Sequence, residues 1–527
     1  MKLLKYLLLI LVLMLPVEIL AQGRITRSPK STTQVVTPGA KKIKRYRKKR
    51  RAKPDPIKTL KNRARRGNAQ AQFDLAERYF DGEGLEQDYA KAAQWYAKAA
   101  AKGHAEACGA LGMLYYNGKG VAKDIAKAKE FWEKGASLRD PSSYYGVAML
   151  YYNGDGVEKD IKKAMEYNSK AAETNYPLSI SAKGYFCLNT PNEEYKQEDA
   201  YKYFHKAYEL DPVEEDALTG LGICCLNGIG VEQSPEEAVR WFKTAKENGS
   251  IGVLPYLAML YKDGIGVPMD KAQYAKYIKM AAEEYPDNTA LMYELATMYF
   301  KGEGVPMDQP KAIEFLRKAA DGGDPQALLD LSTFYFNGYQ GEGVSIPMNQ
   351  VKSFEFAKKS AEGENPMAYM ALYNYYMNGF GTAVNLDESI KWLGKAVEEE
   401  VPMAFTALGS LYAQGFYYPQ NYPKAIENFR HAADLGDAEG QASLGLMYLQ
   451  GSGVPQNDTK AFEYFMKATE SGYVNPEFFS YIAMMYENGR GTEPDVKLAY
   501  AWYGRAAQMG HEMSRQKMET FNTKGHF

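Results

Sequence analysis

One unit of sequence returns at a fixed interval, and it constrains the fold more than any other feature. The stretch Leu111-Gly112-Met113-Leu114-Tyr115-Tyr116-Asn117-Gly118-Lys119-Gly120-Val121 is followed by Asp124, Lys127-Ala128, Phe131-Trp132 and Lys134-Gly135-Ala136. The same skeleton stands 36 residues earlier around Gly82 and Gly84, and 36 residues later around Gly154 and Gly156. Such self-similarity marks a stacked array, in which each unit buries its apolar face against its neighbours. An array lengthens by adding neighbours, so a length of 527 residues does not translate into a number of globular domains.

Twelve units tile the chain from Asn68, beginning near Asn68, His104, Asp140, Tyr176, Pro212, Ile251, Pro286, Asp324, Asn365, Val401, Asp437 and Tyr473. Each reads as helix, glycine loop, helix. In the second unit Ala107, Ala110, Leu111, Leu114 and Tyr115 recur at three- and four-residue steps and form one helical stripe. Ala128, Phe131, Trp132 and Ala136 form a second stripe after the loop, so the unit closes as an antiparallel helical hairpin. Gly118 can end the first helix with positive φ, and Gly120 lets the chain reverse without a Cβ clash. Asp124 stands where a carboxylate caps the second helix, and Asp140-Pro141, Asp324-Pro325 and Asn365-Pro366 mark the starts of first helices.

These residues resemble the Sel1-like repeat family: Ala-x-x-x-Leu-Gly-x-x-Tyr-x-x-Gly-x-Gly-Val, then Asp, then Lys-Ala-x-x-Trp or Phe, then Lys-Ala-Ala. Clear copies run from Ala442 to Gly453 with Lys460-Ala461-Phe462-Glu463-Tyr464, and from Leu295 to Val305 with Lys311-Ala312-Ile313-Glu314-Phe315. The likeness covers about 68 to 511. It implies an all-α, right-handed α-solenoid of about twelve helix-turn-helix repeats, related to the tetratricopeptide class and acting as an interaction scaffold. A cysteine-rich branch of the family, linked to β-lactam binding or hydrolysis, pairs its cysteines across each hairpin; this chain lacks those pairs.

Three units depart from the pattern. The fourth carries Asn189-Thr190-Pro191-Asn192 in place of Gly-x-Gly, the eighth stretches its loop from Gly338 to Pro347, and the tenth has Phe416-Tyr417-Tyr418-Pro419. Loop changes of this kind fall on one face of a solenoid, either as tolerated drift or at a binding surface. Phe80, Tyr116, Tyr152, Phe300 and Phe336 each follow the core tyrosine directly, or a residue in its place. One step along a helix turns a side chain by about 100°, so these five either face a groove and contact a partner peptide or glycan, or pack on the next repeat.

Ahead of the array, residues 1–21 open with Lys2 and Lys5 and continue through an apolar run to Ala21, which reads as a secretory signal peptide. The competing reading is an uncleaved anchor over residues 3–20. Residues 22–66 form a basic arm expected to be disordered, with helix starting near Ile57; eighteen Lys and Arg against Asp55 alone give it +17. Residues 1–21 add +1, so a total of −1 leaves −19 on the remainder. Ten of the thirteen residues from Lys41 to Lys53 are cationic. Behind a signal peptide, anionic membrane lipid, anionic glycan or the acidic array are more accessible partners for that run than nucleic acid.

No constellation of catalytic, cofactor-binding or metal-ligating residues emerges. His104, His205, His431, His511 and His526 are scattered without paired spacing, and neither a phosphate-binding nor a dinucleotide-binding glycine loop occurs. Cys108, Cys187, Cys224 and Cys225 are expected as unpaired core residues, and the five tryptophans as inter-helix packing. The sequence therefore reads as a non-enzymatic protein-binding scaffold of residues 67–511, exported to a periplasmic or extracellular site, with 512–527 as a C-terminal cap or tail. The alternatives are surface attachment through the basic arm and a cell-wall or β-lactam hydrolase.

Overall fold

The computed structural model describes residues 56 to 523; the leader over 1–21 and the basic run from Lys41 to Lys53 lie outside them. Among the described residues the architecture is helical, with a single two-stranded hairpin. Twelve helix pairs follow one another and fall into two compact units, the first ending at Glu284 with Glu303–Val305 added, the second comprising Tyr285–Gly302 and the chain from Pro306 onward.

Local chemistry sets each hairpin. In the third repeat the first helix, Pro141–Asn153, starts where Asp140 Oδ2 accepts the Ser143 N–H at 2.7 Å, with proline at its first position. It stops at Gly154, whose φ of +83° is left-handed and favours glycine. The second helix of the repeat before, Ile125–Ser137, is capped by Asp124, whose Oδ1 accepts the Lys127 N–H at 3.0 Å. Each such cap satisfies a backbone N–H that the first helical turn leaves without a partner. The Asp124 N–H donates back to the Tyr115 carbonyl at 2.9 Å and ties the loop to the first helix, as Asp160 does to Tyr151 and Asp270 to Tyr261.

The second glycine of the loop serves the contact between repeats. Gly304 has φ +73°, and a Cβ there would run into the Lys271 carbonyl at the start of the preceding repeat's second helix. The sequence explains this glycine as freedom to reverse; the structure adds that a neighbour's backbone occupies the space.

Two layers of aromatics hold the hairpins together. Within a repeat the core tyrosine stacks on a ring of the second helix: Tyr115 on Phe131 at 5.7 Å and 2°, Tyr299 on Phe315 at 5.7 Å and 1°, Tyr448 on Tyr464 at 5.9 Å and 5°. A lysine covers each tyrosine, as Lys127 covers Tyr115 at 5.2 Å. Between repeats, Trp132 and Phe204 are fully buried, each wedged against glycines of two successive first helices. Burial of one such ring contributes roughly 1.5–3 kcal/mol. The other four tryptophans lie nearer the surface, with Lys98 over Trp95 at 4.0 Å, Lys395 over Trp392 at 4.6 Å and Arg505 over Trp502 at 4.3 Å. All four cysteines are free and buried.

Three segments differ from the sequence reading. Residues Pro56–Arg65, assigned to the basic arm with helix near Ile57, form a full helix that seals the first repeat: Leu60 and Ala64 pack on Ala71 and Leu75, and Gln72 Nε2 donates to the Ala64 carbonyl at 3.1 Å. Its four cations outnumber these packing residues, which is why charge suggested an arm, and Lys61 lies over the Tyr79 ring at 5.9 Å. The long loop of the eighth repeat is an antiparallel hairpin, Tyr339–Gly341 with Val344–Ile346, pairing Tyr339 with Ile346. In the fourth repeat the Asn192 side chain accepts the Glu194 and Tyr195 N–H groups at 2.9 and 3.0 Å, and this turn buries Tyr195 against Phe186. At the other end, the helix Glu512–Thr523 sets Phe521 against Tyr503 and Ala483 of the last repeat.

Candidate binding site

The five aromatics singled out from the sequence lie mostly along the seam between repeats. Tyr116 is only 6 % exposed; its ring centroid is 5.4 Å from that of Trp132, and its hydroxyl donates to Asp155 Oδ2 of the next repeat at 2.6 Å. Phe300 meets Phe334 and Tyr339 at 5.8 and 6.1 Å, and Phe336 meets Tyr375 and Phe380 at 5.6 and 5.3 Å. Phe80 stays within its own hairpin, edge-on to Tyr89 at 5.1 Å. The turn of about 100° past the core tyrosine points these rings toward the following repeat. Tyr152 also reaches forward, to Phe186 at 5.6 Å, but it lines a pocket as well.

That pocket lies between the third and fourth repeats and is small and partly open to solvent. Tyr145, Met149 and Tyr152 come from the first helix of the third repeat, and Tyr185 and Phe186 from Pro177–Asn189, the first helix of the fourth. Asn168 comes from the second helix of the third repeat, Ile161–Ala172. It is fully buried; its Nδ2 donates to the Ser179 carbonyl at 2.9 Å, and its Oδ1 has no partner.

An acidic pair borders this place. Glu214 caps the helix Glu215–Asn227, its Oε2 accepting the Ala217 N–H at 2.6 Å and the Ser181 hydroxyl. Burial pushes its carboxyl up to about 7, outweighing those hydrogen bonds. Asp216, whose carbonyl accepts the Tyr185 hydroxyl at 3.3 Å, is held well above the usual carboxylate range by burial and then by Glu214. Burial likewise keeps the Tyr145 and Tyr185 phenols protonated, so they act as apolar walls that carry donors.

Nothing in this pocket pairs a nucleophile with a base. Burial pushes the Cys224 thiol up to about 12 and Cys187 to about 11, which leaves neither as a thiolate. Among the described residues no group of three or more His, Cys, Asp or Glu could hold a metal ion, and no helix is long and apolar enough to cross a membrane. His104 and His511 act as helix caps, each Nδ1 accepting a backbone N–H at 3.3 Å. Sequence reasoning passed over Asn168, although a signal was present: it is a polar residue at a position that the other repeats fill with apolar side chains.

Comparison with known proteins agrees with the architecture. The solved structure of c5321, a protective antigen of uropathogenic Escherichia coli strains displaying an SLR fold, is similar at a TM-score of 0.57 and 26% identity, over 89% of this chain and 91% of that one. A Sel1 repeat protein from Oxalobacter formigenes shares 25% identity over 64% of this chain and 93% of its own, at a TM-score of 0.46. Chitin synthase regulatory factor 2 of Schizosaccharomyces pombe is 29% identical over 92 residues, 17% of this chain and 18% of that protein, so the match spans under a fifth of the relative. The Sel1 repeat model matches twelve segments between residues 69 and 511, the fourth only over 193–212 where the loop departs, and the chain therefore belongs to the Sel1 repeat family.

Proposed function

We propose that this chain is a non-enzymatic scaffold, exported to the cell envelope, that holds a polypeptide partner on the face formed by the first helices of its repeats. Sel1-repeat proteins generally act in protein–protein interaction. The observation that carries the reading is the tyrosine-walled pocket between the third and fourth repeats, with its buried, unpartnered acceptor at Asn168. Helices fixed by repeat packing present such a pocket with only side-chain adjustment, which limits the ordering entropy lost on binding.

Crosslinking in intact cells, followed by fractionation and intact-mass analysis, tests both halves. A chain starting near Gln22 and crosslinked to a polypeptide through the first helices of its repeats is the expected result. A chain starting at Met1 and retained in the membrane after a salt wash would refute cleavage, support an anchor over residues 3–20 and reopen a cytoplasmic orientation. A hydrolytic activity that survives purification and is abolished by one substitution would refute the non-enzymatic reading.

The charge of the arm supports a second reading, attachment to an anionic lipid or glycan surface. With +17 over residues 22–66, such binding should weaken steeply with salt and disappear when residues 22–55 are deleted. Stronger partner binding after that deletion would point instead to an arm that covers its own acidic array.

A further inference from the structure

One position in the second helix of each repeat packs between two successive first helices. Tyr96, Trp132, Phe204, Phe242, Phe429 and Phe465 occupy it in six repeats, each at most 2% exposed. Where the ring is large, its neighbours shrink: Gly112 and Gly146 flank Trp132, and Gly184 and Gly220 flank Phe204. Every other repeat carries a ring or an aliphatic side chain here, down to Ala357 in the eighth, and only the third carries an amide. The third has Asn168, set among Ala148 and Ala182, and the pocket opens beside it. An amide that fills less space and leaves a buried acceptor unpaired costs stability. It is explained if something else supplies the ring and the donor.

We propose that the pocket receives one tryptophan side chain of a partner polypeptide, its indole taking the space that Trp132 and Phe204 fill in adjacent repeats and its N–H donating to Asn168 Oδ1. The chain already contains this arrangement once: Trp132 lies between two first helices and its Nε1 donates to the Gly109 carbonyl at 3.1 Å. Tyr145, Tyr152, Tyr185 and Phe186 offer faces and edges to a ring, and Met149, the most flexible lining side chain, swings aside to let it reach the floor.

This proposal rests on the scaffold reading but is tested separately from it. A fluorescein-labelled peptide Gly-Lys-Trp-Lys-Gly is titrated against the full mature chain by fluorescence anisotropy, beside versions with alanine or 1-methyltryptophan at the centre. The tryptophan peptide should bind at least tenfold more tightly than the alanine peptide and several-fold more tightly than the methylated one, which lacks the N–H. Asn168→Phe fills the slot and should lower affinity at least tenfold. Asn168→Leu keeps the room without the acceptor, and should bind the tryptophan and 1-methyltryptophan peptides alike; it carries the test if the phenylalanine variant does not fold.

Equal binding of the alanine and tryptophan peptides by the wild type, or wild-type affinity in Asn168→Phe, would overturn the proposal. So would the absence of binding at millimolar peptide, which would leave a packing defect that holds water, or equal affinity for free N-acetyltryptophanamide, which would make the ligand a small molecule. If Asn168→Phe still captures the partner crosslinked by the wild type, the pocket fails and the scaffold stands. If no polypeptide is ever crosslinked yet the tryptophan peptide binds specifically, the scaffold fails and the pocket stands.

Discussion

Gly146 of the third repeat lies flat against the indole of Trp132 in the second, so close that a Cβ on Gly146 would overlap the ring. The same indole closes over Gly112 of its own repeat, and one side chain thereby fixes the distance between two hairpins. Gly146→Ala should destabilise the first unit by about 1–3 kcal/mol through overpacking, although alanine is the better helix former. Urea unfolding measures this. Trp132→Phe in the same chain should recover part of the loss, and an alanine variant as stable as wild type would mean that the ring does not set the spacing.

Tyr116 illustrates the difference between an aromatic that joins repeats and one that meets a partner. Its hydroxyl donates to Asp155 Oδ2 at 2.6 Å and also accepts from Asn153 Nδ2 at 3.3 Å, so its polar end is committed within the array. Tyr116→Phe should cost about 1 kcal/mol and leave partner affinity unchanged. A double-mutant cycle with Asp155→Asn should give a coupling of about 0.5–1.5 kcal/mol. Negligible coupling together with weaker partner binding would return Tyr116 to the binding surface.

The hairpins, the caps and the first glycine of each loop were legible because each depends on residues within one 36-residue period: Asp124 caps its own helix, and Gly118 ends the helix that precedes it. What was not legible depends on the next period. The residue after the core tyrosine could face a groove or a neighbour, and only the stacking of repeats decides this, as Phe336 against Tyr375 shows. The start of helix Pro56–Arg65 near Ile57 was legible, but that Leu60 and Ala64 seal the first repeat was not, because that contact lies with Ala71 and Leu75 of another helix. Asn168 could have been found by aligning the repeats and looking for the polar exception. The amide is compatible with a helix, however, and its unpaired oxygen becomes visible only when the neighbouring repeat is in place.

The tyrosine stacks rank the forces within one hairpin. Tyr299 lies parallel to Phe315 at 5.7 Å with Lys311 over its outer face at 5.6 Å, and the same lysine is 2.7 Å from Asp308. A cycle of Tyr299→Leu and Phe315→Leu should yield a coupling of about 0.5–1.5 kcal/mol beyond area loss. Lys311→Ala should cost less than breaking the stack, because its ammonium is solvated and its ion pair is screened. Equal costs for the lysine and the stack in 0.5 M salt would contradict this order.

Glu214 gives the first unit an unusual dependence on pH. Its carboxyl is pushed from its ordinary 4.5 up to about 7 in the folded chain, so the folded state binds the proton more tightly than the unfolded one. Stability from this group is therefore complete below about pH 4.5 and is lost as pH rises toward 7, by an amount on the order of 1–3 kcal/mol. Asp216 is shifted in the same direction and adds to the effect. The exposed capping acids act oppositely and in another range: the Lys127 N–H bond holds Asp124 below 3.8, so its contribution is lost only in stronger acid. Melting curves should show the first unit more stable at pH 5 than at pH 8, against the usual acid weakening of proteins rich in paired carboxylates. Glu214→Gln keeps an oxygen to accept the Ala217 N–H and should flatten that difference. If the variant keeps the full wild-type slope between pH 5 and 8, the proton resides on another group, and Asp216→Asn is the variant that should then remove it.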